Sequence, residues 1–313
     1  MAGSDTTAPS TARFQREAAA IREWVTADGS SGFRAEPGRY HLYVSLACPW
    51  AHRTMLVRAL KGLEETISLS VVDPIRDERS WAFRDVPGAG PDPVNGFSFL
   101  REAYEATVPG WEGHVSVPVL WDRQEGRIVN QESADLVVML DQAWNEWATP
   151  GVDLYPEALR PEIDELNGWV YDTVNNGVYK AGFSSDQDYH AEVVGQLFDS
   201  LDRLEARLTD RRYLFGDATT LADWRLFTTL LRFDPVYHGH FKCNVRRIVD
   251  YPALWGYLRD LLEIPGVADT VNLDHVKRHY YMTHPQINPT RVVPIGPALD
   301  YSEPHGREVL STG

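Results

Sequence analysis

Between residues 40 and 130, short apolar runs alternate with one helix-like pattern. Residues 40–45 are aromatic and β-branched, which is typical of a buried strand. A helix is expected over about 50–61, closed by Gly62 just after its C-terminus. Residues 67–72 predict a second strand. Strand, helix and strand in this order indicate one right-handed βαβ unit.

A hairpin and another helix complete this first half of the chain. Residues 117–121 and 127–129 are interpreted as two strands joined by a turn, and a helix is expected over about 132–147. The stretch 74–114, rich in Pro, Gly and Trp, predicts a long loop before the hairpin. A loop of that length inside a compact domain is usually functional or an insertion.

After Pro150 the pattern becomes helical and no further strand is expected. Thr220 and Asp223 have the spacing of a capping box, which satisfies free amides at a helix start. The Pro-rich C-terminus has no regular period and is expected to wrap over the surface. The expected helices cover about 160–178, 188–208, 220–233 and 251–262.

The chain is therefore expected to join an α/β domain to an all-α domain. The predicted boundaries are an N-terminal arm at 1–38, the α/β domain at 39–148, the helical domain at 149–282 and the tail at 283–313.

Composition narrows the functional classes. With 30 basic against 45 acidic residues the net charge is −15, which disfavours nucleic acid and anionic lipid as partners. No run approaches a membrane span, and the N-terminus does not have the pattern of a signal peptide, so a cytoplasmic protein is expected. Cys48 and Cys243 are the only cysteines, which excludes a disulfide framework. No metal site is predicted.

Cys48 is the candidate nucleophile. It follows a strand and precedes a helix that starts with Pro49, so its thiol would face free N–H groups and the positive end of the helix dipole. Both favour the thiolate, although a buried and inert cysteine is the alternative. A dithiol enzyme would have a second cysteine three positions on, where this chain has Ala51. Attack on a sulfur would therefore leave a mixed disulfide for an external thiol to reduce. Cys243 is expected to have no role.

Four blocks of the sequence resemble one known family. In this order they resemble the glutathionyl-hydroquinone reductases, the Xi class of glutathione transferases, over roughly residues 33–297. The blocks are 40–53; 117–122 with 128–133; 175–183; and 277–281 with 287–289 and 294–297. The resemblance implies a thioredoxin-like N-terminal domain, the all-helical C-terminal domain of glutathione transferases, and a homodimer. It also implies that glutathione reduces a glutathionyl-hydroquinone to hydroquinone and glutathione disulfide. The arginine-rich composition leaves another low-molecular-weight thiol open as co-substrate.

The resemblance also assigns residues to glutathione. A cis bond between Val117 and Pro118 would free the Val117 backbone to pair with an extended peptide; the alternative is a trans Pro opening an edge strand. Glu132 and Ser133 would hold the γ-glutamyl group at a helix start, or merely cap that helix. Trp81 would line the same site, or anchor the long loop.

Tyr179 and Tyr280 match family tyrosines at the hydroquinone pocket, where a phenol can bond the substrate oxygen and supply a proton. Packing in the core is the alternative for each. His52 is left out of the catalytic set. This chain departs from the family at Leu46, where Tyr is expected, and at 134–135. Other activities remain open: a glutathione-dependent thiol transferase, a dehydroascorbate reductase, or a glutathione-binding protein without catalysis.

Overall fold

A computed structural model describes residues 13–311. Its first half is built on a four-stranded sheet, whose strands lie in the order β4 (Ser68–Val71), β3 (Tyr40–Val44), β5 (Val119–Asp122) and β6 (Arg127–Asn130). β3 and β4 are parallel, whereas β5 runs antiparallel to both β3 and β6. The parallel pair and the helix between them confirm the predicted βαβ unit. The helices of this half are α1 (Pro49–Leu60), α2 (Arg101–Thr107) and α3 (Ser133–Gln142).

The chain before β3 covers one edge of this sheet. The backbone N–H of Glu23 donates to Val129 O at 3.0 Å, and that of Gln131 donates to Ile21 O at 3.1 Å. Two short parallel strands follow, β1 (Val25–Thr26) and β2 (Phe33–Arg34). Because β6 would otherwise be an exposed edge, these bonds also satisfy its backbone groups.

The second half is helical, as expected. Its α-helices are α4 (Arg160–Val170), α5 (Gly177–Gly182), α6 (Gln187–Arg207), α7 (Leu221–Arg232), α8 (Pro252–Glu263) and α9 (Leu273–Thr283). The capping box forms at α7, where the Thr220 N–H donates to the Asp223 carboxylate at 2.7 Å. Two π-helical turns occur, at Tyr171–Asn175 before α5 and at Phe233–Tyr237 after α7.

Three expectations about regular structure are corrected. The single helix expected over 160–178 is interrupted by the turn Tyr171–Asn175, because the five residues adopt a wider π geometry. The stretch expected to be loop contains the short helix α2. Helix α9 was not among the predicted helices, since its polar residues obscured the apolar stripe that buries Val276 and Tyr280.

The C-terminal segment lies against the helical half. Between residue 284 and the short 3-10 turn Glu308–Leu310 the chain forms no helix or strand. Arg307 is buried, and its guanidinium donates to the carbonyl oxygens of Leu208, Arg211 and Arg212 at 2.6–3.0 Å. Within residues 13–311, no helix combines the length and the apolar content needed to cross a bilayer.

Candidate active site

Cys48 is placed by the junction between β3 and α1. It is the N-cap of α1, with extended backbone at φ −78° and ψ 121°, and Pro49 is the first helical residue. The Cys48 N–H donates to Ser45 O at 3.1 Å, while its own carbonyl accepts from the His52 N–H at 2.9 Å. These bonds hold the thiol at the positive end of the α1 dipole.

The thiol itself is half-buried, and its Sγ donates to the carbonyl oxygen of Val117 at 3.6 Å. Burial raises the pKa of the Cys48 thiol above its ordinary value. The opposing influences are the backbone N–H groups of Ala51 and Trp50 and the charges of Arg232 and Arg16. The expected acidifying groups are therefore present, but the prediction that they favour the thiolate is wrong in the net direction, because lost hydration outweighs them.

Cys243 is separate from this chemistry. Both cysteines are free, and Cys243 is fully buried with its Sγ near the carbonyl oxygen of Phe241 at 3.9 Å. Burial raises the pKa of the Cys243 thiol. A buried, neutral thiol that forms no disulfide is inert in exchange reactions.

The predicted glutathione residues Val117 and Pro118 lie directly before β5. Their peptide bond is cis, as predicted. Val117 is buried, and its backbone carbonyl is the group that accepts from the Cys48 thiol. The structure thus brings this backbone and the candidate nucleophile into direct contact.

Glu132 and Ser133 begin α3, at the end of β6. Glu132 is the N-cap, and its Oε1 accepts from the Ala134 N–H at 3.0 Å. The Glu132 N–H in turn donates to Asn130 Oδ1 at 2.7 Å, and Ser133 is buried. One carboxylate oxygen is therefore engaged in capping, and the binding of a γ-glutamyl group by these residues stays a prediction.

Trp81 lies in the long loop and is buried. Its ring stacks on His279 of α9 with 4.9 Å between centroids, and the Arg76 guanidinium carbon lies 5.7 Å from the Trp81 ring. His279 is itself fixed, with Nδ1 2.7 Å from the carbonyl oxygen of Pro74. Trp81 anchors the loop on the helical half, and contact with glutathione stays a prediction for it.

Tyr179 and Tyr280 come together although they are about a hundred residues apart. Their hydroxyl oxygens are 2.5 Å apart, and Tyr237 completes the group at 3.1 Å from Tyr280 and 3.5 Å from Tyr179. Burial raises the pKa of all three phenols, most strongly for Tyr237 and Tyr280, so they are protonated at neutral pH. We call these three residues the tyrosine cluster.

Within the tyrosine cluster, Tyr179 is the member that contacts the first turn of α1. Its ring lies 6.0 Å from that of Trp50, two residues after the cysteine. Negative charge on Cys48 raises the pKa of Tyr179, and only burial raises it more. The charge of Cys48 is not among the main influences on the pKa of Tyr237 or of Tyr280. A proton on the Tyr179 hydroxyl is therefore the one best placed to serve a reaction at the thiol.

Aromatic rings form the wall behind the tyrosine cluster. The Phe241 ring stacks on Tyr237 at 5.5 Å and lies 5.2 Å from that of Phe183. Gly182 makes this possible, since a Cβ at that position would overlap the Phe241 ring. The rings of His240 and His284 also pack on Phe241, so the tyrosine hydroxyls lie among aromatic and imidazole rings.

Arg232, the last residue of α7, holds the loop before Cys48. Its guanidinium is buried and donates to the carbonyl oxygens of Leu46, at 3.0 Å, and Ala47, at 2.9 Å. It also donates to Nδ1 of His52 at 3.0 Å. Leu46 takes part through its backbone carbonyl. Having Leu at this position, where the family pattern has Tyr, therefore leaves the contact with Arg232 intact.

Sequence reasoning missed Arg232, Arg16 and Tyr237 as site residues. For Arg232 the available signal was its position at the end of the apolar face of α7, because a charge there needs buried partners. Tyr237 had no comparable signal, since its position depends on the π turn Phe233–Tyr237.

Comparison with known proteins agrees with this architecture. The family model for the N-terminal domain of glutathione S-transferases matches residues 47–143, and that for the C-terminal domain matches residues 187–260. The fold and its site therefore define a glutathione transferase, with a thioredoxin-like domain that carries the cysteine and a helical domain that carries the tyrosine cluster.

The similarity extends over nearly the whole chain. Glutathionyl-hydroquinone reductase YqjG of Escherichia coli is 53% identical, over 95% of this chain and 93% of the YqjG chain. The glutathione-bound structure of YqjG superposes on this one with a TM-score of 0.90. Glutathionyl-hydroquinone reductase PcpF of Sphingobium chlorophenolicum is 50% identical, over 91% of this chain and 90% of the PcpF chain. A Xi-class transferase from Natrialba magadii is 49% identical, with a TM-score of 0.91, over 92% of this chain and 89% of its own. The chain belongs to the glutathionyl-hydroquinone reductases, the Xi class of glutathione transferases.

Proposed function

We propose that this protein reduces glutathionyl-hydroquinones with glutathione, through a mixed disulfide on Cys48. The observation that carries the proposal is the tyrosine cluster, which joins the first turn of α1 through contact between Tyr179 and Trp50. A thiol alone would serve any disulfide exchange, whereas protonated phenols beside it suit a substrate that leaves as an oxygenated ring.

The first step is displacement at sulfur. Cys48 Sγ, as the thiolate, attacks the sulfur that joins glutathione to the ring, so an S–S bond forms while the C–S bond breaks. The electron pair of the C–S bond and one proton go to the aromatic product, which leaves as hydroquinone. Tyr179 supplies that proton and is reprotonated through Tyr280 and Tyr237.

The second step regenerates the enzyme. The thiolate of a second glutathione attacks the Cys48–glutathione disulfide, releasing glutathione disulfide and the Cys48 thiolate. The sum is one glutathionyl-hydroquinone and one glutathione converted into one hydroquinone and one glutathione disulfide. Cys243 takes no part, because it is buried and neutral.

Glutathione binding is assigned to the surface around the thiol. The Val117 backbone would pair with the peptide beside the cis-Pro118, while Glu132 and Ser133 would receive the γ-glutamyl group at the start of α3. The carbonyl of Val117 already contacts the Cys48 thiol, which supports this assignment. Trp81 would border the site from the long loop.

We further propose a cytoplasmic homodimer with the domain boundaries 39–148 and 149–282, flanked by the arm 1–38 and the tail 283–313. Two free cysteines and a thiol co-substrate suit a reducing compartment. Light scattering of the purified full chain tests the dimer, for which twice the chain mass of 35.4 kDa is expected.

Turnover of a glutathionyl-hydroquinone with glutathione tests the reaction, with Cys48→Ala beside the matched control Cys243→Ala. We expect hydroquinone release by the wild type and by the control, and none by Cys48→Ala. Mass spectrometry should find one glutathione on Cys48 when the second glutathione is withheld. Equal turnover by all three proteins would overturn the mechanism. Activity confined to non-aromatic disulfides or to dehydroascorbate would instead support the other thiol-dependent reactions.

A further inference from the structure

The N-terminal arm places a cation at the tyrosine cluster. The Arg16 Nε donates to Asn176 Oδ1 at 3.0 Å, just before α5. The Arg16 guanidinium carbon lies 4.6 Å from the centre of the Trp50 ring and 4.8 Å from that of Tyr179. One side chain thus spans from Trp50 in the first turn of α1 to Tyr179 of the tyrosine cluster.

Phe14 fixes the arm in this position. Its ring is half-buried, 5.4 Å from that of Phe183 and 6.3 Å from that of Tyr179, and the Arg16 guanidinium carbon is 5.4 Å from the Phe14 ring. The arm therefore adds an aromatic ring and a cation to the wall already formed by Phe183 and Phe241. Both residues lie outside the segments matched by the two transferase domain models.

The charge of Arg16 is not neutralised within the part of the chain described. Among residues 13–311 no carboxylate lies within ion-pair distance of it, and its two terminal nitrogens have no hydrogen-bond partner there. A guanidinium with free N–H groups beside aromatic rings is suited to an oxygen that bears negative charge.

The chemistry of the first step creates such an oxygen. The proton from Tyr179 adds to the ring carbon that bears the sulfur, and loss of a hydroxyl proton makes the ring a keto tautomer. When the C–S bond then breaks, its electron pair passes through the ring to the keto oxygen, which carries the negative charge as a phenolate until a proton arrives. Stabilising charge that develops only during reaction lowers the barrier more than stabilising the bound substrate does. The charge of Arg16 also acts to lower the pKa of Tyr179, although burial raises that pKa more strongly. This effect of Arg16 favours proton release from Tyr179 to the ring.

We propose that Arg16 is a further catalytic residue, which binds a ring oxygen of the hydroquinone and stabilises the negative charge that develops as the aromatic product leaves. The inference rests on the proposed function and deepens it. It assigns the N-terminal arm to the aromatic part of the substrate. In the glutathione exchange that follows, Arg16 acts only through its charge on the Cys48 thiol, where burial, two backbone N–H groups and Arg232 act more strongly.

The two half-reactions can be measured separately to test this. Excess enzyme mixed with glutathionyl-menadiol, without free glutathione, reports release of the aromatic product. Enzyme already glutathionylated on Cys48, mixed with glutathione, reports the second step. The variants are Arg16→Gln, Arg16→Lys and the control Arg13→Gln, which removes an exposed arginine of the same arm, 3.8 Å from Asp186.

Arg16→Gln should slow aromatic release about 30-fold and leave the second step within about twofold of the wild type. Arg16→Lys, which keeps the charge, should recover most of that loss, and Arg13→Gln should match the wild type in both steps. Aromatic release by Arg16→Gln at the wild-type rate would overturn the inference, as would an equal slowing of both steps. If the wild type releases no aromatic product but performs the second step, the proposed function fails and the inference with it.

Discussion

The guanidinium of Arg232 donates to Nδ1 of His52 at 3.0 Å, joining the end of α7 to the first turn of α1. On the other side of the ring, His52 Nε2 lies 2.7 Å from Thr270 Oγ1, whose own hydrogen goes to Val267 O at 2.7 Å. The Thr270 oxygen therefore accepts from Nε2–H, which fixes the neutral tautomer of His52. Burial, aided by the charge of Arg232, holds the pKa of His52 well below its usual range.

Arg232→Met should destabilise the protein by at least about 3 kcal/mol, because the carbonyls of Leu46 and Ala47 and the His52 ring lose a buried donor together. Urea unfolding followed by circular dichroism measures this. The control Arg34→Met, at an exposed position, should stay within about 0.5 kcal/mol of the wild type. Equal midpoints for both variants would show that the Arg232 contacts contribute nothing.

Tyr179→Phe should lower the rate of hydroquinone release about a hundredfold, since it removes the proton donor but keeps the ring. Tyr237→Phe should cost much less, because its hydroxyl contacts the hydroxyls of Tyr179 and Tyr280 and would act on the reaction only through them. Single-turnover mixing with a glutathionyl-hydroquinone measures both. A larger loss in Tyr237→Phe than in Tyr179→Phe would assign proton delivery to a different phenol.

Alkylation of Cys48 should become steadily faster with pH. Because burial raises the pKa of this thiol, the thiolate fraction and the rate should rise about tenfold per pH unit from about pH 6 to 8.5, without a plateau. Iodoacetamide labelling in a Cys243→Ala background isolates the Cys48 signal. A plateau below pH 7 would mean that the α1 start and Arg232 outweigh burial after all.

Acid should destabilise the fold through its buried histidines. Burial lowers the pKa of His41, His240 and His279 to about 4, whereas the unfolded chain binds these protons near pH 6.5. Stability is therefore complete above about pH 6.5 and falls as the pH drops towards 4, by up to about 1.4 kcal/mol per pH unit for each histidine. Urea unfolding across this range measures the slope.

His41→Gln supplies the comparison for that titration. The His41 ring lies between the Ser68 and Ser70 hydroxyls at 2.7 and 2.9 Å, where a glutamine can also form hydrogen bonds. In this variant the free energy of unfolding should fall less steeply with decreasing pH, because unfolding takes up one proton fewer. An unchanged slope would mean that His41 does not contribute to the acid sensitivity.

Local patterns predicted much of the fold. The βαβ unit, the α3 start and the capping box at α7 depend on residues close in sequence, and the structure contains all three. The break before α5 was not predictable from periodicity, since a single five-residue π turn leaves the helical pattern on either side of it in place. For α9, contacts with the turn Phe233–Tyr237 decide burial, and such contacts leave little trace in the local pattern.

By itself, the sequence determined which atoms can react: one cysteine at a helix start, no second cysteine beside it, and phenols at 179 and 280. Tertiary structure decided how those atoms behave. It assembled Tyr179, Tyr237 and Tyr280 from three separate segments, and it reversed the expected net effect on the Cys48 pKa. The physical reason is that helix dipoles and N-caps are local, whereas desolvation depends on every segment that packs around a group.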